Sequence, residues 1–185
     1  MKAKLLTTLW LCCTVVIYAS IAQTTIFKVQ SGRVDFKSEA PLELIKASSN
    51  QLVGLLDTKS KNFAFKIYMK SFDGFNGATQ KEHYNENYIE SDKFPEASYQ
   101  GKLIDEIDFT KEGTYTVRTK GRLLIHGVEQ ERIIKSELTV TKDKMLLKSN
   151  FMVLLSDFNI PIPKVVSMKL ANEIDVQLVA TLVPR

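Results

Sequence analysis

Few residues of this chain could make or break a bond. The histidines are His83 and His126. His83 sits among Glu82, Glu86 and Glu90, a spacing at which one helix face could offer an imidazole and a carboxylate to a metal ion. A solvated, charge-lined helix face accounts for the same residues. His126 precedes Gly127 and reads as an exposed turn residue. Asp105, Glu106 and Asp108 cluster before Phe109 as acids in turns do, with no neighbour that would hold one of them protonated. No serine stands in a G-x-S-x-G setting, and no glycine-rich loop opens a helix to cradle phosphate. The expectation is therefore a protein that is not an enzyme, with no catalytic residue, no metal site and no cofactor.

The chemistry that the spacing does support is apolar. In Phe63-Ala64-Phe65-Lys66-Ile67-Tyr68-Met69-Lys70 every odd position is large and apolar. A strand sends successive side chains to opposite faces, so this stretch has one greasy face and one mostly wetted face. Tyr115, Val117 and Leu123 share the apolar face of a long downstream strand, and Phe151 and Val176 belong to the last two. Together Phe63, Phe65, Ile67, Met69, Tyr115, Val117, Leu123, Phe151 and Val176 are the candidate lining of an apolar interior, subject to phase, since a slip of one residue inverts such a list. That interior is either packed core or a cavity for a hydrophobic small molecule. Thr119, Gly121, Ser136, Ser149 and Ala180 are small enough to leave it hollow. Phe63 to Lys70, at ~3.3 Å per residue and a ~40° tilt, spans roughly 20 Å of barrel axis, room for an extended chain of about 16 carbons. Lys66, Lys70, Arg118, Lys120 and Arg122 fall out of phase with the apolar positions and read as solvated exterior.

These positions must be held by strands. From Thr24 onward the periodicity is mainly two. Short strands are expected around Ile26–Val29 and Val34–Phe36, then over Leu42 to Ala47 and Asn50 to Leu56, with Gly54 marking a bend or bulge. After Phe72 the period changes. Thr79-Gln80-Lys81-Glu82 fits a capping box, which predicts a helix from Gln80 to about Ile89, ended by Phe94-Pro95. Strands return at Ala97 to Leu103, Tyr115 to Ile125, Arg132 to Val140, Leu146 to Leu155 and finally Ile174 to Leu182. Regularly spaced strands with short polar turns imply an antiparallel sheet closed into a barrel.

Residues 1–22 read as a secretory signal peptide: a basic start at Lys2 and Lys4, an apolar run from Leu5 to Ile21, and a small-x-small site ending at Ala22. The run is short for a membrane span, which takes about 20 apolar residues, and no second one follows. Cleavage would remove Cys12 and Cys13, the chain's cysteines, leaving no disulfide and no thiolate chemistry. Residues 23–185 would then form a single exported domain, periplasmic or secreted. The formal charge of +4 includes Lys2 and Lys4, so the mature chain is only weakly basic, too weakly for its net charge to argue for nucleic acid or an anionic membrane surface as a partner.

Several stretches, in order, resemble the YceI-like family of exported, lipocalin-like proteins. They are the strand Phe63–Lys70, the helical stretch with His83, the run Tyr88 to Tyr99, the hairpin Gly121-Arg122-Leu123-Leu124-Ile125-His126-Gly127-Val128, and Phe151 to Ile160 with Ser156-Asp157-Phe158. Departures are Leu155, where a basic residue is frequent, Asn159, where glycine is common, and Tyr84 after His83. The resemblance implies a mainly β fold, an eight-stranded antiparallel lipocalin-like barrel with one short helix in a loop excursion. It also implies that the interior holds an isoprenoid or quinone-like amphiphile. The other reading is an interaction or stress-response protein with a filled barrel and no stoichiometric ligand. A homodimer is compatible with either.

Overall fold

A computed structural model describes residues 25–185. The signal peptide expected over residues 1–22, and its cleavage, fall outside the described residues. The strands are β1 (Ile26–Glu39), β2 (Leu44–Ser49), β3 (Val53–Asp57), β4 (Asn62–Tyr68), β5 (Glu96–Leu103), β6 (Gly113–Ile125), β7 (Val128–Val140), β8 (Met145–Leu154) and β9 (Glu173–Pro184). Consecutive strands pair antiparallel from β3 to β9, and β9 returns to β1 over Phe27–Ser38, closing the sheet. β2 and β3 both lie along one edge of β1, against Val34–Glu39 and Ile26–Lys28 respectively. They are two halves of one stave, so the barrel has eight. Closure leaves no free sheet edge all round, except where two staves part.

Where the chain bends differs from the sequence expectation. β1 is one continuous strand, with a bulge between Val29 and Ser31, rather than two short ones. The bend in the second stave falls at Asn50–Leu52, not at Gly54, whose register with Phe65 is regular. Gly54 is small for another reason: a Cβ there would lie 2.2 Å from the Phe65 ring, so the missing side chain is the space the ring occupies. Gly101 and Gly121 face each other across β5 and β6 and do the same for the strands themselves, since a Cβ on Gly101 would meet the Lys120 carbonyl oxygen at 2.1 Å.

The helix, α1 (Ala78–His83), continues into a wider turn over Tyr84–Tyr88. Gly77 precedes it and no side chain caps it, so the Thr79–Glu82 capping box is not formed. The excursion is held instead by its aromatic side chains. β7 and β8 pair only between Ser136–Val140 and Met145–Ser149. Beyond that they separate, and a 3-10 turn at Leu155–Phe158 fills the gap. Gln130 Nε2 donates to the Asp157 carbonyl at 2.9 Å, Arg132 pairs with the Asp157 carboxylate, and the Arg132 guanidinium lies 6.0 Å from the Phe158 ring. Asn159 follows with φ 56°, a left-handed position that asparagine tolerates almost as glycine does.

Candidate functional site

The two ends of the barrel are built differently. Short turns join β3 to β4 and β7 to β8 at the lower end, and there Val117, Leu138, Val140, Met145 and Leu182 are buried against one another. The upper end carries the α1 excursion, the β8–β9 loop, the β1–β2 turn and the β6–β7 hairpin. Beneath them lies a cavity of about 530 Å³. Its walls are Phe65 and Ile67 of β4, Leu123 of β6, Phe151 and Val153 of β8, and Val176 and Leu178 of β9, with Met69 just past β4.

Alternation along each strand explains these positions, because residues two apart share the inner face. The floor is an aromatic layer. Phe63 lies 5.9 Å from Phe65 and 4.9 Å from Tyr99, ring centre to ring centre. The Tyr99 hydroxyl reaches between strands to within 3.0 Å of the Thr119 carbonyl and 3.2 Å of the Arg132 carbonyl. Burial raises the Tyr99 phenol above its ordinary pKa, so it stays a neutral donor.

The candidate lining residues divide accordingly. Phe65, Ile67, Met69, Leu123, Phe151 and Val176 face the cavity. Phe63 belongs to the floor without bordering the cavity, Val117 is buried in the filled half, and Tyr115 sits at the lower end with its hydroxyl donating to the Lys111 carbonyl at 3.0 Å. The small residues expected to hollow the barrel lie in that filled half. Ser136 and Ser149 bond each other at 3.0 Å, and the Tyr99 ring packs over Gly121. Large neighbours occupy the room they leave. Along this strand the cavity runs from Phe65 to Met69 rather than over all of Phe63 to Lys70, somewhat over half the length read from the sequence.

The roof is made by residues outside the candidate lining. Phe36 of β1 stacks on Tyr84 at 5.6 Å and lies 5.3 Å from Phe72 and 5.9 Å from Phe75. Phe75 and Tyr84 are 5.0 Å apart. Tyr84 donates to the Met69 carbonyl at 3.3 Å, and burial drives its phenol pKa far above the ordinary value. The density of aromatics in a nominal loop was the available signal, because solvated loops have no use for so many large rings. Around the mouth stand Glu43, Thr79, Gln80, His83, Val166 and Lys169. Gln80 donates to Glu43 at 2.8 Å. Inside, Ser38 accepts from the Ala171 amide at 3.0 Å. Among the described residues no buried side-chain polar atom lacks a partner.

His126 is not an exposed turn residue. Its side chain is only 10% exposed, with Nδ1 at 3.1 Å from the Phe158 carbonyl and Nε2 at 2.7 Å from the Glu90 carboxylate. Both neighbours are acceptors, so each ring nitrogen faces an oxygen. It ties the β6–β7 hairpin to both excursions, with Phe94 edge-on at 4.5 Å. The bond from His126, then the charge of Lys93, holds the Glu90 carboxyl below the usual carboxylate range. His83 is exposed at the mouth, far in role from His126. Among the described residues no group of His, Cys, Asp and Glu could hold a metal ion. Asp105 receives the Arg118 amide at 2.6 Å and its guanidinium at 2.7 Å, and Asp108 receives the Thr110 amide at 3.0 Å, so these acids fasten turns. Lys66 pairs with Glu96, Lys70 with Asp92, and Lys120 with Glu131, all on the outside.

A family model described as YceI-like domain matches residues 17–182. Among solved structures, a polyisoprenoid binding domain from Saccharophagus degradans, described as implicated in plant cell wall breakdown, superposes with a TM-score of 0.72 at 11% identity, covering 88% of this chain and 100% of that one. BcnA of Burkholderia cenocepacia gives 0.67 at 12% identity, covering 81% and 95%. The YCEI protein of Campylobacter jejuni gives 0.54 at 16% identity, covering 98% and 97%. No curated protein matches. Among the described residues no helix is long and apolar enough to cross a membrane.

Proposed function

The chain belongs to the YceI-like domain family, and from that premise we propose that it is an exported, non-enzymatic binding protein that holds the tail of an isoprenoid or quinone-like amphiphile in the upper half of its barrel. The observation that carries this reading is the cavity itself, predominantly apolar below its mouth and with its buried side-chain polar atoms already bonded to protein. Such a site rejects sugars, nucleotides and ions, because each would surrender its hydration for nothing. It rewards hydrocarbon at roughly 0.8 kcal/mol per buried methylene, against an association cost of about 4–15 kcal/mol. At ~30 Å³ per heavy atom, as in liquid water, 530 Å³ has the volume for on the order of 15–20 carbons, more than an extended chain would place along Phe65–Met69, so the tail would lie folded back on itself. The likeness to a polyisoprenoid binding domain is in keeping with this.

Residues 1–22 would direct export and be removed, leaving 23–185 as the working domain in the periplasm or outside the cell. Solvent extraction of the purified protein followed by mass spectrometry should recover a stoichiometric isoprenoid-like lipid, and stripped protein should take up a short-chain quinone. Leu178→Trp, which fills the cavity with an indole, should cut that uptake at least tenfold while leaving the barrel folded. If extraction yields no lipid and wild-type protein takes up no quinone, the carrier reading is wrong.

A further inference from the structure

The β8–β9 loop has a surface unlike the rest of the molecule. From Phe158 to Asn172 it contains no Asp or Glu, but it carries Lys164 and Lys169 among Ile160, Ile162, Val165, Val166, Met168 and Leu170. Val165 is 89% exposed and Met168 51%. The β1–β2 turn lies against this loop, the Leu42 amide donating to the Met168 carbonyl at 2.8 Å, and it adds Leu42 at 68% and Leu44 at 44% exposure. Large apolar side chains therefore project from two adjacent loop tips. Neither Lys164 nor Lys169 is within ion-pair distance of an acid among the described residues. On the adjoining β1–β2 segment, Glu43 is bonded to Gln80 and Glu39 is paired with Lys37. The same rim borders the cavity, since Val166, Lys169 and Leu170 line its mouth.

We propose that this rim docks on a phospholipid bilayer with anionic head groups, placing Val165, Met168, Leu42 and Leu44 in the interface and Lys164 and Lys169 against the phosphates. The chemistry favours a bilayer over a protein partner or a second copy. A rigid partner needs a surface it can match, whereas protruding aliphatic tips flanked by free lysines suit a soft, negatively charged interface. Continuity with the mouth means that a docked molecule would open its cavity toward the membrane. The inference goes beyond the carrier reading, because it rests on surface chemistry that is the same with the cavity full or empty.

The test is flotation of the protein with phosphatidylethanolamine–phosphatidylglycerol vesicles and with pure phosphatidylcholine vesicles. All variants share one N-terminus, so differences among them report the rim. Wild type should float with the anionic vesicles and much less with phosphatidylcholine. The double substitution V165D/M168D should lower partitioning about tenfold or more, and K164E/K169E should abolish the preference for phosphatidylglycerol. Circular dichroism should show both variants folded, and V165D/M168D should still take up a short-chain quinone without vesicles. Wild type that stays with the buffer, or variants that float as wild type does, would overturn the proposal. So would sedimentation equilibrium showing a dimer that V165D/M168D dissolves, because the rim would then serve a second copy. Failure of quinone uptake by wild type would remove the carrier reading and leave the flotation result standing on its own.

Discussion

At the scale of single residues, the sequence put the chemistry of His126 in the wrong place. A histidine before Gly127 has every mark of a surface turn, and its backbone does turn, with φ 50°. Its side chain folds inward because two acceptors far away in sequence, Glu90 and the Phe158 carbonyl, converge on its two nitrogens. Glu90 itself sits at φ 48°, and the folded state holds its pKa below the ordinary 4.5. A depressed carboxyl gives stability that is complete above the unfolded pKa and is lost as pH falls through the folded one, since the unfolded chain binds the proton first. Asp105, lowered chiefly by the hydrogen bond from Arg118, adds to the same trend. Thermal unfolding followed from pH 7 downward should therefore show Tm falling below about pH 4.5. Glu90→Gln should lower Tm at pH 7 and flatten that fall. An unchanged slope in the variant would mean that the Glu90–His126 bond is not what acid breaks.

At the scale of elements, alternation made the strands legible and left their ends and bends obscure. The inward set of β6 is spaced by two in sequence and in space, so Tyr115, Val117, Thr119, Gly121, Leu123 and Ile125 could be assigned to one face without a partner strand. The α1 excursion was visible only as a change of period. Its start was misplaced because a capping box is a local signal, and here packing of Phe75 and Tyr84 on Phe36 decides the geometry. Glycines carried a second kind of information that needs a partner to read. Gly121 has the Tyr99 ring and the Gln100 carbonyl where a side chain would go, at 2.9 and 2.4 Å from an ideal Cβ. Gly121→Val should thus push β5 from β6 and lower stability by about 3 kcal/mol, the upper end of the usual cost of overpacking, since the Gln100 carbonyl has no room to give. Urea denaturation of the two proteins would measure it.

For the whole molecule, the question was whether the barrel is filled or hollow, and the answer is both. Leu138 is buried in the filled lower half, and Leu178 borders the cavity. Leu138→Ala in ligand-free protein should cost about 3–5 kcal/mol, while Leu178→Ala should cost roughly half that, because one side of Leu178 has no packing to lose. Equal losses in urea titrations would indicate a core packed from end to end.

The sequence by itself determined which faces are apolar, that the strands close antiparallel, and which family the ordered motifs resemble. All of these follow from spacing along the chain, which a strand converts directly into a face. Tertiary structure alone decided that Phe63, Tyr115 and Val117 lie outside the cavity while Phe36, Phe72 and Tyr84 roof it. Inward-facing residues of a barrel are alike in sequence whether they meet a neighbour or a void. What separates them is the ring that reaches across from another stave, and at Phe63, Phe65 and Tyr99 those rings meet halfway down.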